Sequence, residues 1–283
     1  MGSSADILWI GLGNLLYTLG FVTAILYLIR AKHHPRWLLY MIIAGGYAIH
    51  SYGLYLRGME VRGCPIGNTF EIVQFVIWSL TFCFLVLGPA FRLSLFGFFT
   101  AGLAAILSVL AFIFRGWDTP YPLDVGKVSP AIEFHASLAV FSYGIFGLLA
   151  ISCVLYILQN YSLKHHRWKG MYEFLPSLVE SETMTLRMLA AGSGVLTVSL
   201  LVGYSYFVQN TAEINAAKLA ATVAVWLAYL VVLFLRLTNR LYGKKLAWTS
   251  IVLFFFALLS IWPVDASRQN KPTAHTSIEM PHE

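Results

Sequence analysis

Charge is what this sequence has least of. Only 11% of its 283 residues are Asp, Glu, Lys or Arg, less than half of the roughly 25% usual in soluble domains. That shortage, beside 58% hydrophobic residues, excludes an ordinary soluble globular chain. Cysteine is scarce too. Cys64, Cys83 and Cys153 lie far apart, with no C-x-x-C and no C-x-x-C-H. A dithiol redox centre and covalent porphyrin attachment are therefore excluded, and a structural disulfide is not expected. No basic surface interleaved with aromatics accompanies the net charge of +6, so nucleic acid is not an expected partner. The first residues carry no basic segment, and the apolar run Ile7–Ile29 is too long for a signal-peptide core. It reads as a retained span.

What is present is a series of apolar runs separated by short polar loops. Runs of this length bury their own backbone polar groups as helices, the form in which an isolated segment can cross lipid. Eight spans are expected: residues 7–29, 37–56, 68–87, 93–114, 129–158, 186–207, 218–237 and 247–262. The fold class is all-α, a polytopic transmembrane bundle forming one domain over residues 1–263. A polar tail, 264–283, is expected to be disordered. Ser177-Leu-Val-Glu180 has the form of a capping box and predicts a short interfacial helix leading into the sixth span. Asn68 and Glu71, three residues apart, predict a capped start for the third span.

Loop charges predict the orientation. Twelve Lys and Arg residues, among them Arg30, Lys32, Arg92, Arg240, Lys244 and Lys245, fall on one side, against Arg57, Arg62, Arg115, Lys127 and Lys218 on the other. The positive-inside rule then sets both termini outside, in the plasma (inner) membrane of a cell.

Three segments carry more specific information. The first is Gly63-Cys-Pro-Ile-Gly-Asn-Thr-Phe-Glu-Ile-Val-Gln-Phe-Val-Ile-Trp78; the second is His135-Ala-Ser-Leu-Ala-Val-Phe-Ser-Tyr143; the third is Leu175-Pro-Ser-Leu178 ahead of a span containing Gly192, Gly194 and Gly203. Their order and spacing resemble the CcsA/CcmC/HemX superfamily of cytochrome c assembly membrane proteins. The sequence is most similar to its HemX/YpjD-like branch. Lys218 and Trp226 fit the superfamily pattern ahead of the seventh span, but the loop tryptophans do not, and Phe234 stands where CcsA has a second axial histidine.

The resemblance implies haem handling at the outer face, with non-covalent haem b as cofactor and His135 as an axial ligand of its iron. It also implies a CcsB/ResB-like membrane subunit and apocytochrome c as partners. Haem lyase activity is left open, because the tryptophan platform is absent. His50, in the second span among Tyr47, Tyr52 and Tyr55, is a candidate second ligand if that helix packs beside the fifth. Trp117, beside Asp118, is a candidate for part of the missing platform. Arg62 or Arg115 suits a haem propionate, whereas Glu71 does not. Two other functions stay open: a HemX-like accessory regulator of haem synthesis, and a small-molecule or ion transporter. Ionisable residues cluster near span ends rather than at mid-membrane, which weighs against the transporter.

Overall fold

A computed structural model describes residues 4–30, 36–91, 94–119, 129–165, 177–208 and 216–261. These form eight α-helices: α1 (Ser4–Ile29), α2 (Arg36–Val61), α3 (Thr69–Phe91), α4 (Ser94–Ile113), α5 (Pro130–His165), α6 (Leu178–Phe207), α7 (Ala216–Leu237) and α8 (Gly243–Leu259). A single 3-10 turn, Arg115–Trp117, follows α4. The expected tail 264–283 and the loop 121–128 lie outside the described residues.

Eight helices stand where eight spans were expected, but six are long and apolar enough to cross a membrane: α1, α3, α4, α5, α6 and α7. The other two, α2 and α8, fall just outside that group. Helix α8 has 17 residues and is about 25 Å long, short of the ~30 Å hydrocarbon core. Helix α2 has 26 residues, but Tyr40, Gly45, Gly46, Tyr47, His50, Ser51, Tyr52 and Gly53 lower the mean hydropathy of its central stretch. Helix α6 is also one continuous element. The Ser177 capping box is present in both arms, Ser177 Oγ accepting from the Glu180 N–H and the Glu180 carboxylate accepting from the Ser177 N–H. It starts α6 itself rather than a separate interfacial helix.

Helix α5 is the centre of the bundle. It packs on α6, α3, α8 and α4, while α1 packs on α2 and α4. Its start combines Pro130 at the first helical position, where no N–H is needed, with Ser129, whose Oγ accepts from the Ala131 N–H at 3.3 Å. Gly144 permits the close crossing with α3: a Cβ there would lie 2.6 Å from the Leu80 backbone nitrogen and closer still to Ser79 Oγ. Farther along, Phe146 of α5 stacks on Tyr229 of α7, ring centroids 3.5 Å apart and 3° from parallel. Large apolar side chains such as Leu15, Ile29, Val86, Ile106 and Leu201 are exposed on the outside of the bundle. In a membrane protein that is the expected surface, since lipid replaces water there.

Candidate functional site

Successive helices alternate in direction, so the starts of α1, α3, α5 and α7 meet the ends of α2, α4 and α6. Most of the buried ionic chemistry collects at that end. Arg57, 5% exposed, points each part of its guanidinium at a different carboxylate. Its Nε donates to Glu71 Oε1 at 2.7 Å and its Nη1 to Asp6 Oδ2 at 2.9 Å, and its Nη2 donates to Asp118 Oδ1. Four elements are joined through one side chain: α1, α2, α3 and the segment after the 3-10 turn. Only the forked guanidinium supplies donors in this arrangement. Asn68 adds a second tie, its Nδ2 donating to Asp118 Oδ1 at 3.0 Å and to the Thr119 carbonyl at 3.1 Å.

This cluster was not foreseen. Arg57 was placed in a loop beyond the second span, yet it lies inside α2. The capping expectation holds for Asn68, whose Oδ1 accepts from the Glu71 N–H at 2.9 Å. Glu71 does more than cap: its second carboxylate oxygen accepts from the Gly67 N–H at 2.7 Å while the first holds Arg57.

The loop between α2 and α3 also reaches α5. Cys64 Sγ lies 3.1 Å from Ser137 Oγ, and Ser137 Oγ donates to the Glu133 carbonyl at 2.6 Å. Gly63 lies so close that a Cβ would be 2.5 Å from Glu133 Oε1. Burial, aided by the Glu133 and Glu71 carboxylates and opposed by Ser137, pushes the Cys64 thiol above its ordinary value. The thiolate is the reactive form. Alkylation of Cys64 by iodoacetamide at neutral pH is therefore expected to run slower than that of a free thiol, and to accelerate as pH rises. Site-resolved mass spectrometry over a time course checks this, and a rate equal to free cysteine would contradict it.

His135 sits on the nearly opposite side of α5 from Ser137, two residues away, and faces α6. Its Nδ1 lies 2.6 Å from the Ser199 carbonyl. A carbonyl only accepts, so Nδ1 carries the proton and, in the neutral ring, Nε2 carries the lone pair. Ser199 closes the contact from the other direction, donating its Oγ proton to the His135 carbonyl at 2.7 Å. Gly203, one turn on, makes room for the ring: a Cβ there would lie 2.7 Å from Nδ1. Trp226 of α7 donates from Nε1 to Thr197 Oγ1 of α6 at 2.9 Å, holding α7 against the same stretch of α6. The imidazole is thus fixed in orientation and tautomer, as in metal-ligating histidines, whose second nitrogen donates to a carbonyl or carboxylate. It is partly buried.

The other residues singled out from the sequence fall elsewhere. His50 is fully buried, with its Nδ1 3.4 Å from Tyr17 OH. Gly13 of α1 lies against it, a Cβ there coming within 2.8 Å of the His50 backbone nitrogen. The condition set for it is not met, because α2 packs mainly on α1 and α3 whereas α5 packs on α6, α3, α8 and α4. The structure therefore does not bring His50 and His135 together. Trp117 is partly buried and stacks on Phe114, centroids 4.9 Å apart, one residue from the Asp118 that binds Arg57. Phe234 is 61% exposed on α7. Arg62 is exposed, with a left-handed backbone at φ 52°; the side chains of Arg115 and Lys218 lie outside the described residues. Among the described residues, no three of His, Cys, Asp and Glu are grouped as a metal site.

With this geometry in view, the comparisons with known proteins decide the family. A family model described as "Cytochrome C assembly protein" matches residues 66–269. The chain belongs to that family. It is 27% identical to "Protein HemX" of Bacillus subtilis (strain 168) over 205 residues, 69% of this chain and 72% of that one. It is 31% identical to "Protein HemX" of Brevibacillus brevis over 140 residues, 49% of this chain and 51% of that one. Over 125 residues it is 22% identical to "Inner membrane protein YpjD" of Escherichia coli (strain K12), 44% of this chain and 47% of that one. The last two matches span about half of each relative. The cytochrome c assembly segment begins just before the Asn68–Glu71 cap and runs past α8, so it takes in His135, Ser199, Gly203 and Trp226.

Proposed function

We propose that this member of the cytochrome c assembly family binds haem at the outer face of the plasma membrane and presents it for c-type cytochrome biogenesis, with His135 as the axial ligand. The observation that carries the reading is the Nδ1–H···O=C bond from His135 to Ser199. It leaves the lone pair on Nε2, the form of imidazole that binds iron. The donor set fits one axial bond. His135 would hold the iron, Ser199 would fix the ring, and Gly203 would keep the space that the ring occupies.

Thioether formation in cytochrome maturation belongs to the haem vinyl groups and the apocytochrome thiols. The protein's own work is to bind, orient and shield the cofactor. The site assignment rests on His135 alone, with His50 left in the α1–α3 interior. The ionic cluster serves this reading indirectly, since it fixes the loop that braces α5 through Cys64 and Ser137. Orientation with both termini outside would set the His135 end at the outer leaflet, where apocytochrome and a CcsB/ResB-like subunit would meet it. The family membership and the name of the Escherichia coli relative support an inner-membrane setting.

The test is the absorption spectrum of detergent-purified protein from haem-replete cells, oxidised and dithionite-reduced. A Soret band in the wild type that is lost or shifted in His135→Ala is expected. A wild-type protein that takes up no haem even after supplementation would overturn the reading and favour a HemX-like accessory role in haem synthesis.

A further inference from the structure

Below the Arg57 cluster, a second set of polar side chains continues into the bundle between α1, α2 and α3. Asn14 Nδ2 donates to Gln74 Oε1 at 2.8 Å. Tyr17 OH lies 3.4 Å from His50 Nδ1 and 3.3 Å from Thr81 Oγ1. All are buried: Asn14 is 3% exposed, and Tyr17, His50, Gln74 and Thr81 are 0% exposed. The helical rise puts Thr81 about 15 Å below Glu71, and Tyr17 about 16 Å below Asp6. That is about half the thickness of a hydrocarbon core.

Four atoms of this seam are buried without a well-aligned hydrogen-bond partner: Asp6 Oδ1, Asn14 Oδ1, Gln74 Nε2 and His50 Nε2, and the Gln74 amide stands within reach of the His50 ring. Each unpaired buried polar group costs roughly 1–3 kcal/mol. Several along one seam point to a shared partner. That partner must both donate and accept, because a carboxylate oxygen, an amide oxygen, an amide nitrogen and an imidazole nitrogen all lack one. Lipid is shut out on one side by close approach of α1 and α2. A Cβ on Gly53 would lie 2.6 Å from the Ile10 backbone nitrogen, and one on Gly46 would lie 2.8 Å from the Tyr17 ring.

We infer that the α1–α2–α3 seam is an internal water-binding column, in which water bridges Asn14, Gln74 and His50 and continues to Asp6 in the ionic cluster. Small polar sites with two to four convergent groups are where proteins hold structural water. The charged groups along the route are Asp6 on α1, Arg57 on α2, Glu71 on α3 and Asp118 beyond α4; Tyr17, Gln74 and Thr81 face His50 itself.

Radiolytic hydroxyl-radical footprinting of the full chain in lipid nanodiscs tests this, because labelling of a fully buried side chain needs a water beside it. His50 and Tyr17 should oxidise at least about ten-fold faster than Phe96, which is equally buried. In the double variant Asn14→Leu, Gln74→Leu, which removes both amides together, His50 labelling should fall toward the Phe96 rate. His50 labelled no faster than Phe96 in the wild type would overturn the inference, as would unchanged labelling in a folded double variant. A double variant that unfolds reveals itself by a rise at Phe96, and the wild-type ratio then decides alone.

Discussion

Replacing Arg57 with methionine is expected to destabilise the folded protein by about 3–5 kcal/mol, the usual consequence of removing one partner from a buried ion cluster. The methionine would fill much of the space but would leave Asp6, Glu71 and Asp118 facing one another without a cation. Asp6 and Glu71 are almost completely shielded from bulk solvent, at 0% and 1% exposure, so their repulsion is screened far less than at a surface. Arg57→Lys should recover only part of the loss, since one ammonium cannot serve three carboxylates in fork geometry. Unfolding in detergent, followed by tryptophan fluorescence, measures both. A methionine variant as stable as the wild type would mean that the cluster is held together by its other bonds, those of Asn68 and the Gly67 N–H.

Gly144→Ala should be comparably damaging despite adding a single methyl group. The new Cβ would press on the backbone nitrogen of Leu80 as well as on Ser79, and backbone cannot rotate away as a side chain can. Overpacking of this kind costs about 1–3 kcal/mol or more. Here it falls on the α3–α5 crossing, one of the main contacts of the central helix. Gly194→Ala is the matched control: a Cβ at Gly194 meets nothing within 4 Å, and alanine favours helix over glycine by about 1 kcal/mol. Size-exclusion profiles and melting temperatures of the two variants should therefore diverge in opposite directions from the wild type. Equal tolerance of both would contradict the packing described at Gly144.

The helices were legible in the sequence because apolar run length and loop polarity reflect a local constraint, the need of each span to satisfy its own backbone. The same holds for caps: Ser177–Glu180 and Asn68 act over three residues, and both could be read without a fold. What could not be read was long-range. Arg57 looks like a loop cation because its neutralising partners are 14, 51 and 61 residues away. Its seven-residue spacing from His50, with Asp6, Asn14 and Tyr17 on α1 and Glu71, Gln74 and Thr81 on α3, is the one pattern that hinted at a shared polar seam. Periodicity alone gives no register between helices, so the three stripes could not be matched. His135 stands out as an imidazole near the start of an apolar span, and family resemblance adds to that, but its fixed tautomer depends on Ser199, 64 residues on. Two of the eight expected spans, α2 and α8, do not stand out as apolar spans of full length, α2 because Tyr, Gly, Ser and His50 dilute its hydropathy and α8 because it has 17 residues.

Direct bonding of haem iron by His135 Nε2, as proposed, is open to chemical rescue. His135→Gly removes the imidazole and leaves a space between α5 and α6 beside Gly203. The wild-type Soret band should be lost in this variant and return when millimolar imidazole is added, because free imidazole can take the vacated position. A His135→Gly protein that keeps the wild-type spectrum without imidazole would contradict direct ligation by His135.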